Sequence, residues 1–526
     1  MRTCGRFFTV LTLALLWGCG GTDEVPSLES KAETYFTLDS TTVGVSTIAS
    51  GLEVPWEITW GPDGWIWMSE QKGIVSKLNP RTGEMIEMLK LQDVYLRTTP
   101  GLLGMDIHPD QQNVPYIFLL YNTREGEEGE RITLNLVRYT VGPDTLSEAE
   151  QLLEIPGGKG HNGSRLKISP GGKVMVATGE AGNEENAQDI RSLGGKILRL
   201  NVDGTVPEDN PFPGSPVWAW GFRNQQGLTY GDRGLLYTSE HGVATDDEIN
   251  VIKEGRNYGW PDVEGFCDRA DEQAFCADSS ITEPLKAWTP TIAPAGIDYY
   301  GSANIPEWQH SLILSTLKDA TLHVLPLSGE GTAIEGDRLY LEKVFGRLRD
   351  VTVSPSGDVY VATSNRDWKE QENFPMPKDD RILRLFKISE DEKIEGIKSL
   401  EEMVSDSLAS FSENLSEGAL IYQKHCASCH MPAGGGIHGT FPPLKGSSAV
   451  TGDKEALIRT VLTGKVEPAA EDDREYAESM PAFDFLSDSE IARILTYIRT
   501  ELGNDVSEIT PGEVEEVRNR LPEDEQ

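Results

Sequence analysis

Cysteine is scarce in this chain, with six among 526 residues, so no disulfide scaffold holds it together and ordinary packed cores must. Basic residues are also few. The 47 Lys and Arg face 85 Asp and Glu, a net charge of −38. A surface that negative repels phosphate backbones, which excludes nucleic acid as a partner and suits cationic ones. Beyond the N-terminal segment no apolar run is long enough to cross a membrane. What abounds is turn-formers, 53 Gly and 30 Pro, which favour many short strands over long helices. The length predicts two or three domains.

The N-terminus reads as a targeting segment. Arg2 and Arg6 form a basic region, Phe7 to Trp17 a short apolar stretch, and Leu16-Trp17-Gly18-Cys19 a bacterial lipobox. Residues 1–18 are therefore expected to be a lipoprotein signal peptide. Cys19 is expected to carry lipid, and residues 19–43 to form a tether at the periplasmic or extracytoplasmic face of a bacterial cell envelope. An ordinary cleaved signal is the alternative. Cys4 leaves with the signal, and Cys267 and Cys276 are expected to pair as a disulfide.

From about residue 44 to 388 one pattern returns: an apolar strand, a Pro/Gly/Asp turn, and a second strand ending in Thr, Ser or Glu. Examples are "EITWGPDGWIWMSE" (57–70), "RLKISPGGKVMVATGE" (165–180), "GLTYGDRGLLYTSE" (227–240) and "DVTVSPSGDVYVATSN" (350–365). Looser copies lie at 101–122 and 311–327, and several copies are followed by a third strand. About six small antiparallel sheets result, none able to bury both faces alone. Radial packing solves this, so the expectation is an all-β six-bladed propeller, with a long sandwich as the alternative.

Residues 389–414 are acidic and Ser-rich and read as a linker. From 415 to 502 the period changes to amphipathic helices, with Ser487 and Glu490 forming a capping box. The acidic tail, 503–526, is expected to be disordered. Within the helical region "CASCH" (426–430) is the pattern for covalent haem c. Cys426 and Cys429 on one helical side bond the porphyrin, and His430 ligates the iron. A thiol redox pair or zinc site is the alternative. Met480 is the expected second axial ligand, which raises the reduction potential. His438 is its rival, Met431 lies too close to the motif, and His425 reads as exposed. Including "FPPLKG" (441–446), the segment resembles a small all-α class I cytochrome c.

Four stretches of the propeller carry a second resemblance: "HNGSRLKISP" (161–170), "GFRNQQGL" (221–228), "SEHGVATDDEINVIKEGRNYGWP" (239–261) and "GRLRDVTVSPSGDVYV" (346–361). Over residues 45–388 the chain resembles the soluble glucose/sorbosone dehydrogenases, six-bladed propellers that use pyrroloquinoline quinone (PQQ). The resemblance implies that Lys318, Arg347 and Arg349 contact PQQ, a tricarboxylate that cations pair with well. It makes His161 the general base, since a neutral imidazole suits hydroxyl deprotonation near neutral pH. Arg223 would stabilise charge on the reduced quinone, and Asn224 would bond the cofactor. It also implies calcium: the carbonyls of Gly242 and Val243 at a PQQ-linked ion, Glu248 and the Tyr258 carbonyl at a structural one. Two departures stand out. Thr99 replaces a family Gln. Gly160 replaces the Asp before the catalytic His, so the base is expected to lack a neighbouring carboxylate. Trp288, in "AWTPTIAP" (287–294), is slightly displaced.

The expected protein is a quinohaemoprotein sugar dehydrogenase. Its cofactors are PQQ, haem c and calcium. Its partners are a small sugar, a downstream cytochrome or respiratory-chain acceptor, and the membrane through Cys19. The alternatives are a calcium-dependent propeller hydrolase of lactonase type, and a non-catalytic carbohydrate-binding propeller carrying a cytochrome.

Overall fold

The structure, a computed structural model, describes residues 31–126, 131–367, 374–389, 394, 396–403, 416–431, 433–436, 441–464, 470–471, 474–475 and 480–521. The signal, Cys19, His438 and most of the linker lie outside the described residues.

Six four-stranded or larger antiparallel sheets are arranged as blades. Blade 1 holds Pro55–Trp60, Ile66–Glu70, Ile74–Leu78 and Met85–Lys90; blade 2 runs from Leu102–Ile107 to Leu146–Pro156; blade 3 from Gly163–Ile168 to Val217–Trp220. Blade 4 runs from Gln225–Tyr230 to Lys286–Trp288, blade 5 from Pro294–Tyr300 to Arg338–Tyr340, and blade 6 starts at Leu348–Val353. The first strands of successive blades touch one another, including sixth against first, so they line the central axis and the ring is closed. Carboxylates latch neighbours together there. Glu57 accepts from Met105 N at 2.9 Å, Asp106 from Ile168 N at 2.7 Å, and Asp350 from Ile58 N at 2.6 Å.

Blade 6 has five strands, because Thr42–Ser50 pairs with Arg381–Lys387 and Thr34–Thr37 pairs outside it. Residues 34–37 and 42–43, expected to be tether, are therefore strands that join the chain's beginning to the propeller's last blade. The alternation is visible in their burial: Thr34, Phe36, Val43 and Val45 point inward.

The helical domain packs Glu417–His425 against Asp488–Thr500. The crossing is close: a Cβ on Gly418 would meet the Arg493 carbonyl at 2.3 Å, so only glycine fits. The Ser487–Glu490 capping box is present. The expected disordered tail is different in the structure. Pro511–Arg518 is a helix capped by Thr510 and Glu513, and Val514, Val517 and Leu521 bury against the helical core. The acidic composition misled because its apolar residues recur at helical spacing, enough for one buried stripe. Cys267 and Cys276 are disulfide-bonded.

Candidate functional site

Hairpin geometry places the site. In each blade the start of the first strand lies beside the end of the second, so residues from both ends crowd one face of the ring. His161, Arg223 and Asn224, and Arg347 lie just before the first strands of blades 3, 4 and 6, and Arg349 is the second residue of the last of these. Lys318 follows the second strand of blade 5, Ser311–Thr316.

His161 sits at φ +48°, a left-handed conformation that few non-glycine residues adopt. Gly179 faces its backbone, where a Cβ would meet the His161 carbonyl at 2.0 Å. The imidazole Nδ1 lies 2.6 Å from Glu180 Oε1, whose side chain is 2% exposed. A carboxylate accepts, so Nδ1 carries the proton and Nε2 is the basic nitrogen. The expectation that the base lacks a carboxylate is thus corrected. Gly160 supplies none, but Glu180, across the hairpin, does.

Arg223 donates to the Gly242 carbonyl at 2.9 Å and the His241 carbonyl at 3.3 Å, and its guanidinium lies over the Trp260 ring at 5.3 Å. Asn224 uses its Oδ1 internally, accepting from Gly163 N and Gln226 Nε2, each at 3.1 Å.

Arg347 and Arg349 share one buried partner, Asp367. Arg347 Nε meets it at 2.8 Å and Arg349 binds its other oxygen. Burial would raise the Asp367 carboxyl, but the two guanidiniums outweigh it and hold it low. Burial pulls Arg349 down to about 10, still charged at neutral pH, and its guanidinium stacks over Trp56 at 4.0 Å. Lys318 Nζ donates to Thr291 Oγ1 at 2.7 Å. Burial lowers its ammonium, while Asp247 and then Cys429 and Cys426 push back. Those two thiols belong to the helical domain, so the haem motif stands within electrostatic reach of Lys318.

Glu248 accepts from Gly265 N and Asn250 Nδ2, each at 2.8 Å, and burial pushes it up to about 8. With Glu240, Asp246, Glu264 and Tyr258 it lines a small, partly open cavity. Its carboxylates suit a hard cation in kind, but Arg223, His241 and Trp260 line the same cavity. Among the described residues, however, no three acidic, His or Cys side chains converge as a ligand set. The Gly242 carbonyl, expected to face a cation, is engaged by Arg223.

In the helical domain His430 Nδ1 lies 2.9 Å from the Pro442 carbonyl. A carbonyl only accepts, so Nδ1 is protonated and Nε2 carries the lone pair that iron needs. Cys426 caps, and Cys429 lies within, the same short helix, Ala427–His430. Met480 packs against the core to which Cys426 also belongs. His425 is buried rather than exposed, with Phe483 and Phe485 against its ring.

Sequence reasoning missed Glu180, His241 and Asp367. All three follow the end of a second strand, in the repeats "VATGE", "YTSEH" and "VATSNRD", at different distances from the shared Thr. Aligning the repeats on that Thr would have exposed Glu180, because Lys318 stands at the same place after Thr316.

The family model for glucose/sorbosone dehydrogenase matches residues 52–370, and that for cytochrome c matches residues 415–501. Quinoprotein glucose dehydrogenase B of Acinetobacter calcoaceticus is 30% identical over 403 residues, 60% of this chain and 84% of that one. The PQQ-bound aldose sugar dehydrogenase of Streptomyces coelicolor is 31% identical. It superposes with a TM-score of 0.57 over 66% of this chain and 99% of that one. The cytochrome c subunit of a quinone alcohol dehydrogenase from Gluconobacter oxydans is 38% identical over 89 residues, 16% of this chain and 18% of the subunit.

Proposed function

The chain belongs to the glucose/sorbosone dehydrogenase family and carries a cytochrome c domain, and from that premise we propose that it oxidises an aldose or related sugar with PQQ and delivers the electrons to its own haem c. The residues fit both groups. Lys318, Arg347 and Arg349 outnumber Asp367 and Asp247 and leave an excess of positive charge for a polycarboxylate. Arg349 Nε and His241 Nε2 are buried without hydrogen-bond partners, as groups awaiting a polar ligand are. Cys426, Cys429 and His430 have the chemistry for thioether bonds and proximal ligation, with Met480 as the proposed distal ligand.

The quinone, when bound, supplies a two-electron acceptor for substrate hydride, and the haem a one-electron outlet. The protein's residues do the rest. His161 Nε2 takes the sugar hydroxyl proton, held in position by Glu180 through Nδ1. Arg223 presents positive charge toward developing negative charge, anchored by its stack on Trp260. Asn224 and the Lys318, Arg347, Arg349 cradle orient the acceptor. Calcium is proposed for the cavity at Glu248 and Tyr258, and for the carbonyls of Gly242 and Val243, where it would compete with Arg223.

The observation that carries the reading is the double membership of Lys318. It closes the cationic cradle and stands within electrostatic reach of Cys426 and Cys429. A reduced cofactor in the cradle would therefore meet its acceptor without diffusion between molecules. Haem-loaded protein, given PQQ and calcium, is offered a panel of aldoses while haem absorbance is followed. Reduction that needs PQQ and stops on chelation supports the reading. Lactone hydrolysis without reduction, or no response to any sugar, contradicts it. We further propose a lipid anchor at Cys19, checked by the mass of the mature N-terminal peptide.

A further inference from the structure

Lys196 opens the third strand of blade 3, Lys196–Leu200, and has no part in the mechanism above. It is fully buried. Its Nζ nevertheless donates to three backbone carbonyls, of Asn186 at 2.5 Å, Gly194 at 2.7 Å and Ala187 at 2.9 Å. An uncharged amine has two hydrogens and would turn its lone pair on one of these oxygens, so three acceptors call for the ammonium. Burial draws that ammonium down to about 7, and Asp189 opposes it. The three carbonyl oxygens act in the same direction as Asp189, because they bond the charged form.

The cage belongs to the loop 180–195, which joins the second and third strands of blade 3 and begins with Glu180. Contacts run without a gap from the ammonium to the base. Asn186, whose carbonyl accepts from Lys196, donates through Nδ2 to the Glu180 carbonyl at 2.9 Å. Glu180 Oε1 lies 2.6 Å from His161 Nδ1. Ala181 N donates to the His161 carbonyl at 2.9 Å. The Ala187 carbonyl is shared, for it also accepts at 3.1 Å from the N–H of Gly221, which stands just upstream of Arg223. One buried charge thus ties together the backbone segments that carry Glu180 and Arg223.

We propose that Lys196 is a positioning residue for sugar oxidation: its ammonium holds the 180–195 loop so that Glu180 stays on Nδ1 of His161 and Nε2 stays aimed at the substrate hydroxyl. The proposal rests on the reading of His161 as the base. Lys196 is enclosed by its three carbonyls and takes no part in the proton transfer itself. Its removal loosens the aim of the base and leaves the cationic cradle of Lys318, Arg347 and Arg349 in place.

The test measures dye-linked sugar oxidation, PQQ affinity and melting in full-length protein. The variants are Lys196→Met, Asn186→Ala, Glu180→Gln, and Glu180→Gln combined with each of the other two. Methionine matches the length of lysine without its charge. Lys196→Met is expected to lower kcat about tenfold, with KM and the PQQ dissociation constant changed by less than about twofold. Asn186→Ala keeps the ammonium but cuts the tie to the Glu180 carbonyl, so it should lower kcat roughly threefold. Added to Glu180→Gln, either change should lower kcat by less than about twofold more, because the contact it serves is already lost. Effects that multiply in full in the double variants overturn the proposal, since they would mark a general structural role. So does an unchanged kcat in Asn186→Ala, which carries the test alone if Lys196→Met does not fold. Failure of the wild type to oxidise any aldose, with PQQ and calcium supplied, overturns instead the reading on which the proposal rests.

Discussion

In the propeller, the residues around the candidate cofactor site stretch from His161 on the third blade to Arg349 on the sixth. In the helical domain, Cys426, Cys429 and His430 share a single turn. The first arrangement exists only because hairpin ends from separate blades reach one face. The second needs little more than a local helix. Damage should therefore behave differently in the two regions. A substitution in the motif removes a whole function at once, whereas a substitution in the cradle removes one contribution and leaves the others in place.

Four variants can break or sharpen that contrast. The largest effect is expected from joint Cys426→Ala and Cys429→Ala. Covalent haem disappears on a denaturing haem-stained gel, while sugar oxidation with an added dye acceptor persists. Loss of dye-linked activity as well would mean that the two regions are not separable. Next, His161→Asn should lower dye-linked kcat by about 10²–10⁴-fold without changing PQQ uptake. Glu180→Gln should cost less, roughly ten- to a hundredfold, because the base remains and only its orientation suffers. Its signature is a kcat effect with KM nearly unchanged. The smallest effect is expected from Val514→Ala, which trims the buried face of the C-terminal helix. It should cost the haem domain roughly 1–3 kcal/mol in denaturant unfolding followed at the Soret band, and leave propeller melting untouched.

The same contrast explains what could be read from the sequence. The haem attachment motif is contiguous, so its residue types and spacing state the chemistry directly. The propeller repeats are legible because each blade repeats one turn chemistry. The five-stranded sixth blade was not, since Thr34–Thr37 and Thr42–Ser50 come from the opposite end of the chain and lack that turn. Lys318, Arg347, Arg349 and His161 were found through family resemblance rather than spacing. Glu180 was hidden because its partner is set by strand register: Gly163 pairs with Thr178, which brings the residue two beyond Thr178 alongside His161. Pairing of that kind is a property of the hairpin and leaves no mark in local composition. Asp367 and His241 were overlooked for the same reason. The C-terminal helix was missed because its charge dominates the composition, while its stability comes from three apolar side chains.

The central claim is that sugar electrons pass from the cationic cradle to the haem within one chain. Stopped-flow mixing of sugar with protein preloaded with PQQ, calcium and oxidised haem tests it most directly. Haem reduction at a first-order rate independent of protein concentration is the predicted result. A rate that rises in proportion to protein concentration, or oxidised haem that persists after the sugar is consumed, would contradict it.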